Sequence, residues 1–148
     1  MEISIERDDC CWNGTASGRS VVYDLAYAAL HAAESAERLR AVECLGRTDD
    51  PRAVRPLMDL LEDSDPAIRL AATKELGHLK SGRPVDDLIV RLRDQGEQEA
   101  IRIQAIMTLA TIRSTGAIRG LRDFAGDESE DAALRLSAKS QLGEIGPY

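Results

Sequence analysis

The sequence predicts an all-α protein in which about four helix pairs stack side by side as an α-solenoid. Four similar segments end in a leucine followed by glycine or alanine, and these leucines lie 31, 33 and 33 residues apart: Leu45, Leu76, Leu109 and Leu142. A repeat of this period is typical of stacked helical units that bury their apolar faces against one another. Aromatic residues make up only 3% of the chain, so we expect an aliphatic core, which suits helix packed on helix better than a β-sandwich.

The N-terminal part of the chain differs from the rest. Residues 1–18 are expected to lie outside the repeats, and residues 19–148 are expected to form the repeat domain. Repeat 1 follows at about residues 20–47 and is the least regular copy, with its second helix expected from about Ser35 to Arg47. Three apolar residues of the N-terminal segment suggest that it covers the outer face of the first helix pair: Ile3, Ile5 and Trp12.

Repeat 2, at about residues 50–80, carries the clearest helix signals. Asp50-Pro51 and Asp65-Pro66 each place an N-cap aspartate before a proline at the first helical position. Pro56 lies one turn further on and predicts an irregular first helix. The second helix has a single apolar face, formed by Ile68, Ala72, Leu76 and Leu79.

Repeats 3 and 4 keep this second-helix pattern, at about residues 83–113 and 115–146. The acidic run at residues 127–131 precedes the last helix, where carboxylates favour the positive helix N-terminus, and Gly146-Pro147 ends that helix. The matching apolar residues are Ile101, Ala105, Leu109 and Ile112 in repeat 3, and Leu134, Ala138, Leu142 and Ile145 in repeat 4.

The composition argues against several classes of partner. The 148-residue chain is 43% hydrophobic and 30% charged, as expected of a globular domain, and its formal net charge is −7. Nucleic acids and anionic membranes attract basic surfaces, so neither is an expected partner. The cysteines are odd in number (Cys10, Cys11 and Cys44), and the sequence shows no secretory signal and no apolar run of about 20 residues. We therefore expect a cytoplasmic protein.

The repeat unit resembles a known family. Residues 50–79 have the form Asp-Pro-x-x-Val-x-x-Leu-x-x-Leu-Leu-x-Asp-x-Asp-Pro-x-Ile-Arg-x-x-Ala-x-x-x-Leu-Gly-x-Leu, which resembles a HEAT repeat. The subtype resembles the HEAT-like repeats of phycobilisome lyases, and the resemblance covers about residues 20–146. It implies an α-solenoid whose second helices line the concave side, in a family that consists mostly of adaptors and scaffolds.

Two functions of different classes follow from this resemblance. The first is a non-catalytic adaptor or scaffold that binds another protein through its second helices and needs no cofactor. The second is a phycobilin lyase or a bilin chaperone that acts on phycobiliproteins, although such lyases usually contain more repeats. HEAT-repeat hydroxylases hold two irons with several His-Glu pairs, whereas this chain has no adjacent His-Glu.

One arginine recurs at the same position of every second helix: Arg38, Arg69, Arg102 and Arg135. The family resemblance implies a structural ladder in which an aspartate six residues earlier pairs with each arginine. Only Asp63, before Arg69, has that spacing. We therefore expect Asp63, Arg38 and Arg69 to be structural, and Arg102 and Arg135 to contact an acidic partner. The residues that follow these arginines are expected to point inward: Leu39, Leu70, Ile103 and Leu136.

Other second-helix positions vary between repeats, and such positions are free to specify a partner. This variable surface comprises Arg40, Glu43, Arg47, Lys74, Glu75, His78, Gln104, Met107, Thr108 and Thr111. The residues expected to bind a protein are Arg40, Arg47, Lys74, His78 and Met107, together with Arg102 and Arg135. A plain solvated face is the alternative. Cys44 shares the repeat position of Glu75, so partial exposure is expected for it as well.

No group of residues predicts catalysis or a metal site. His31 and His78 are the only histidines, and they lie in different repeats. Cys10 and Cys11 lack a second cysteine pair that would complete a four-ligand site. The sequence also contains no Ser-His-Asp set, phosphate-binding loop or dinucleotide fingerprint. We therefore expect no catalytic residue, no metal ligand and no cofactor.

Overall fold

The computed structural model describes residues 18–146, and all regular secondary structure in that part of the chain is helical. The eight α-helices of the described part form two rows. The first row contains the first helix of each repeat: α1 (Gly18–His31), α3 (Val54–Asp59), α5 (Val85–Arg93) and α7 (Thr115–Gly126). The second row contains α2 (Ser35–Gly46), α4 (Pro66–Leu79), α6 (Glu99–Ile112) and α8 (Ala132–Ile145).

The second helices form a continuous layer. Each packs against the first helix of its own repeat and against the second helices of the neighbouring repeats. This arrangement confirms the predicted α-solenoid of about four helix pairs. The division near residue 18 and the covering role of Ile3, Ile5 and Trp12 stay predictions, because those residues lie outside the described part of the chain. None of the helices within residues 18–146 is both long and apolar enough to cross a lipid bilayer.

Aspartate side chains cap two of the second helices, α4 and α8. The Asp65 carboxylate accepts a hydrogen bond of 2.9 Å from the backbone N–H of Ala67, and Pro66 is the first helical residue. Asp131 accepts a bond of the same length from the N–H of Ala133. Each cap satisfies an N–H group that has no partner within its helix, a contribution of about 1 kcal/mol.

The first helix of repeat 2 is irregular, as Pro56 predicts. A 3₁₀ turn, Pro51–Ala53, leads into α3, and a second one, Leu60–Glu62, follows it. Pro56 is the third residue of α3, and its missing N–H falls in the first turn, where no intrahelical acceptor is available. The short helix therefore tolerates the proline.

Aliphatic side chains fill the core between the two rows. Ile68, Ala72 and Leu76, which the periodicity places inside, are 0% exposed. Each buried leucine or isoleucine contributes about 1.5–3 kcal/mol relative to its exposed state. Phe124 is the largest fully buried side chain in the described part of the chain. The low aromatic content is therefore consistent with this helix-on-helix core.

At the junctions between consecutive second helices, a small residue of one helix faces a longer residue of the next. A methyl group on Gly46 would lie 2.0 Å from Oε2 of Glu75, and one on Gly77 would lie 3.5 Å from the Thr108 side chain. Glu75 and Thr108 are each only 2% exposed. The expectation that they belong to the variable surface is wrong, because they fill the junctions between repeats. Cys44, at the same repeat position, is likewise buried rather than partly exposed.

Candidate protein-binding face and arginine ladder

The solvent-facing sides of α2, α4, α6 and α8 form one surface, which we call the second-helix face. Met107 on α6 is 47% exposed, and Lys74 and His78 on α4 are also exposed. Arg47, the C-cap residue of α2, is exposed, whereas Arg40 is half-buried. Helical spacing and the repeat register therefore place five of the residues predicted to bind a partner on a common face.

An aliphatic row crosses the second-helix face at one position per helix: Leu39, Leu70, Ile103 and Leu136. The prediction that these side chains point inward is wrong for Leu136, which is 68% exposed, and holds only in part for the other three, which are half-buried. Leu39 and Ile103 pack against the edge of the core and leave part of their surface uncovered. The row thus supplies apolar contact area between polar side chains.

His78 is held by a buried acid beneath the face. Its Nδ1 lies 2.7 Å from Oε2 of Glu75, one helical turn earlier, and the His78 side chain is 50% exposed. Because Glu75 is fixed in the junction with α2, it also fixes the orientation of the imidazole ring. His78 therefore presents an ordered polar edge to the solvent.

The ladder arginines pair across repeat junctions rather than within repeats. Nη2 of Arg38 donates to Oδ2 of Asp63 in repeat 2, and Arg69 donates to Glu97 in repeat 3. Nη2 of Arg102 donates to Oε2 of Glu130 in repeat 4, at 2.7 Å. In each pair the acid lies just before the next second helix, 25 residues later at the first junction and 28 residues later at the other two.

The predicted pairing of Arg69 with the Asp63 carboxylate is wrong. That carboxylate pairs with Arg38 of the preceding repeat, and Nη1 of Arg69 instead donates to the main-chain carbonyl of Asp63 at 2.7 Å. The six-residue spacing thus brings Arg69 to the backbone of Asp63 but not to its side chain. The structure places Asp63, Arg38 and Arg69 in one connected ladder.

Arg69 and Glu97 form the best-aligned pair. Nε and Nη2 of Arg69 donate to the two carboxylate oxygens of Glu97 at 2.9 and 2.8 Å, and the Glu97 side chain is 1% exposed. Nη1 of Arg91 lies 3.2 Å from the same carboxylate. Hydrogen bonding to Arg69 holds the pKa of Glu97 below its ordinary value, although burial alone would raise it. The carboxylate is therefore ionised at neutral pH.

Arg102 also belongs to the ladder, contrary to its predicted role as a partner contact. Its side chain is 8% exposed, and its Nε donates to the Leu92 carbonyl at 2.7 Å. Its guanidinium carbon lies 6.0 Å from the centre of the Phe124 ring. The prediction rested on the lack of an acid six residues earlier, but Glu130 of the next repeat supplies that acid. Little of the Arg102 side chain is therefore exposed for contact with another protein.

Sequence reasoning missed three members of the ladder: Arg91, Glu97 and Glu130. The two glutamates hold the same place, immediately before the N-cap residues Gln98 and Asp131. They are also separated by the repeat period of 33 residues. A comparison of the loop acids between repeats could therefore have found them. Arg91 carries no such signal, because its role depends on contacts with Glu62, Asp94 and Glu97 in three dimensions.

Arg135 is the ladder arginine that has no acid partner in the described part of the chain. Its Nε donates to the Ala125 carbonyl at 3.3 Å, and no carboxylate within residues 18–146 pairs with its guanidinium. The side chain borders a cleft of about 270 Å³, lined by Ala132, Arg135, Leu136 and Lys139. Arg135 thus differs from the three inner arginines and keeps a guanidinium available for another molecule.

The described histidines and cysteine do not assemble into a reactive centre. His31 contacts the Tyr27 ring, with 4.7 Å between the ring centres, whereas His78 lies on α4 beside Glu75. In the described residues, no group of three or more His, Cys, Asp or Glu side chains is arranged to hold a metal ion. Cys10 and Cys11 lie outside the described residues.

Comparisons with known proteins agree with the repeat architecture. The family model described as HEAT repeats matches residues 24–99, about half of the chain. No match was found among curated proteins. Among solved structures, human deoxyhypusine hydroxylase in complex with glycerol has a TM-score of 0.73 and 24% identity over 82% of this chain and 42% of that one. The chain thus spans less than half of that protein, and the likeness shows the fold alone. From the family match, the chain belongs to the HEAT-repeat family.

Proposed function

We propose that this protein is a non-catalytic adaptor that binds another protein through the second-helix face. HEAT repeats generally serve as protein-interaction scaffolds. The observation that carries the proposal is the aliphatic row, which is left partly uncovered at the same position of four consecutive helices. An apolar strip bordered by polar residues is the usual composition of a protein-binding surface.

Covering this strip contributes favourably to the free energy of binding. Leu136 is 68% exposed and Met107 is 47% exposed, so each has about half or more of its surface still to bury. Complete burial of such a side chain contributes about 1.5–3 kcal/mol. These two contacts, together with the half-buried Leu70 and Ile103 of the same row, provide an apolar centre for a partner.

The spacing of the row suits an amphipathic helix as the partner. Packed helices lie about 8–10 Å apart, so consecutive members of the row are separated by roughly that distance. Seven residues of an α-helix rise about 10.5 Å. A partner helix that crosses the four second helices would therefore place one apolar residue per heptad on each member of the row. In this mode of recognition, an amphipathic helix binds through its apolar face.

The charges beside the row favour acidic residues on that partner. Lys74 on α4 and Arg47, the C-cap residue of α2, are exposed on the second-helix face. Complementary charges around an apolar centre set the orientation of a partner and raise its association rate. The proposed partner is thus an amphipathic helix whose polar edge is acidic.

Affinity capture from an extract of the source cells tests the proposal with two matched variants. Met107→Glu adds a charge to the second-helix face, and Val90→Glu adds the same charge to an exposed apolar position on α5, 61% exposed. We expect Met107→Glu to reduce recovery of a protein bound to the wild type by at least about fivefold, equivalent to about 1 kcal/mol. Val90→Glu should leave recovery unchanged.

Equal recovery with both variants would contradict the proposal. Co-expression with a phycobiliprotein and a bilin distinguishes the alternative lyase function from the adaptor function. Visible absorbance bound to the protein in that experiment would favour a bilin function over the adaptor.

A further inference from the structure

Arg135, the ladder arginine of repeat 4, has no acid partner among the described residues. Arg38, Arg69 and Arg102 each bind a carboxylate from the following repeat. Arg135 occupies the same position on α8, but among the described residues it has only the Ala125 carbonyl as an acceptor, at 3.3 Å. Its guanidinium therefore has the position of a ladder arginine and lacks the acid that completes the others.

Lys139 is a second cation at the cleft that Arg135 borders. Thr73 and Ile106, one turn after the ladder arginines of repeats 2 and 3, are 0% exposed. The corresponding residue of repeat 4 is Lys139, which is exposed and lines the same cleft as Arg135. Repeat 4 thus has a positive charge at the position where repeats 2 and 3 have a buried residue.

We propose that Arg135 and Lys139 bind an aspartate or glutamate side chain of another protein. This carboxylate would take the place that Asp63, Glu97 and Glu130 take at the inner junctions. Arginine is well suited to this because its planar group donates two parallel hydrogen bonds to a carboxylate. The site lies on α8 and shares Leu136 with the second-helix face, but its two cations are not among the charges that the proposed adaptor function uses.

Charge and local composition favour a protein carboxylate over a phosphate. The chain carries a net charge of −7, which repels a nucleic acid or an anionic membrane. Leu136 borders the cleft and is 68% exposed, so the ligand can bury apolar surface next to its charge. A protein loop or helix end offers both features, whereas inorganic phosphate offers only the charge.

The sequence of repeat 1 argues against a second copy of this chain as the source of the acid. At the third and fourth repeats the ladder acid immediately precedes the N-cap residue of the second helix. The N-cap of α2 is Glu34, and the two preceding residues are Ala32 and Ala33. Head-to-tail stacking of two copies would therefore place alanines where the ladder requires a carboxylate.

Zero-length crosslinking tests the site at the level of single residues. A carbodiimide joins a lysine amine to a carboxylate only when the two are in contact, and this chain has three lysines: Lys74, Lys80 and Lys139. The protein is treated with the carbodiimide in an extract of the source cells, and the new amide bonds are mapped by mass spectrometry. We expect Lys139 to be joined to aspartate or glutamate of another protein far more often than Lys80.

Two matched variants make the result specific. Arg135→Gln should lower the Lys139 crosslinks about tenfold, the effect of losing one charge-assisted bond, with the melting temperature unchanged. Arg119→Gln removes the same charge from an exposed site on α7 and should leave the crosslinks intact. Equal labelling of the three lysines, persistence of the crosslinks in Arg135→Gln, or crosslinks only to a second copy of this chain would overturn the proposal.

Discussion

Arg69 and Glu97 belong to consecutive repeats and meet in two parallel hydrogen bonds of 2.9 and 2.8 Å, in a setting that leaves the Glu97 side chain 1% exposed. The pair therefore joins repeat 2 to repeat 3 rather than stabilising either alone. Stability in a solenoid is approximately a sum of repeat and interface contributions. The ladder is thus part of the interface contribution, and Arg135, which pairs with no acid of another repeat within residues 18–146, is outside it.

The inner and terminal arginines should differ in their effect on stability. Arg69→Ala leaves the buried Glu97 with the Gln98 backbone N–H and the longer contact to Arg91, so we expect the free energy of unfolding to fall by about 2–4 kcal/mol. Arg135→Ala removes one bond of 3.3 Å and should cost less than about 1 kcal/mol. Thermal unfolding followed by circular dichroism should show a shift on the order of 10 °C for the first variant.

The double variant Arg69→Ala, Glu97→Gln provides the control for this comparison. Removing the charge of Glu97 eliminates the unpaired buried carboxylate, so the double variant should lose less stability than the sum of the two single changes. Similar destabilisation by Arg69→Ala and Arg135→Ala would refute the assignment of the ladder to the repeat junctions.

Stability should fall in acid through Glu97. Its pKa is held below the ordinary value of 4.5 in the folded protein by Arg69, so the unfolded chain takes up the proton first as the pH falls. The contribution of the ionised pair is complete above about pH 4.5 and is lost as the pH falls from there through the lower, folded-state pKa. Melting temperatures between pH 7 and pH 3 should therefore decline more steeply in the wild type than in Glu97→Gln.

An exposed glutamate serves as the reference for this measurement. Glu128→Gln removes the same charge from an exposed position in the loop before α8. Its pH profile should follow that of the wild type. A Glu97→Gln profile that also follows the wild type would show that the pair does not contribute to acid sensitivity.

Two glycines should respond differently to alanine. A methyl group at Gly46 would lie 2.0 Å from the Glu75 carboxylate, which is buried and holds His78. Gly46→Ala should therefore lower the free energy of unfolding by about 1–3 kcal/mol. Gly77→Ala meets Thr108 at an ordinary 3.5 Å, and repeat 3 already has Ala110 at this position. It should be neutral in urea unfolding, and equal losses for the two variants would contradict the observed packing.

The helical layout could be predicted from the sequence because each element carries a local signal. Asp65 and Pro66 mark a helix start, and Ile68, Ala72 and Leu76 define a face by their spacing alone. These signals lie within about 12 residues, and their meaning does not depend on the neighbouring repeat.

The ladder could not be predicted in the same way because it depends on which repeats touch. The six-residue spacing within one repeat predicts that Arg69 pairs with Asp63. The structure instead pairs the Arg69 guanidinium with an acid 28 residues later. The burial of Glu75 and Thr108 could not be predicted for the same reason. Their variation between repeats suggested a surface position, but the small residues Gly46 and Gly77 of the preceding helix leave room to bury them. Burial of a polar residue depends on its neighbour across the junction, which the pattern of a single helix does not contain.

Site-specific photo-crosslinking most directly tests the claim that the second-helix face binds a protein. A photoreactive phenylalanine analogue is placed at Met107 on α6 or at Val90 on α5, two exposed apolar positions on different rows of helices. After illumination in an extract of the source cells, position 107 should yield a crosslink to one defined protein, and position 90 should yield none to it. Crosslinks to that protein from position 90 but not from position 107 would contradict the account.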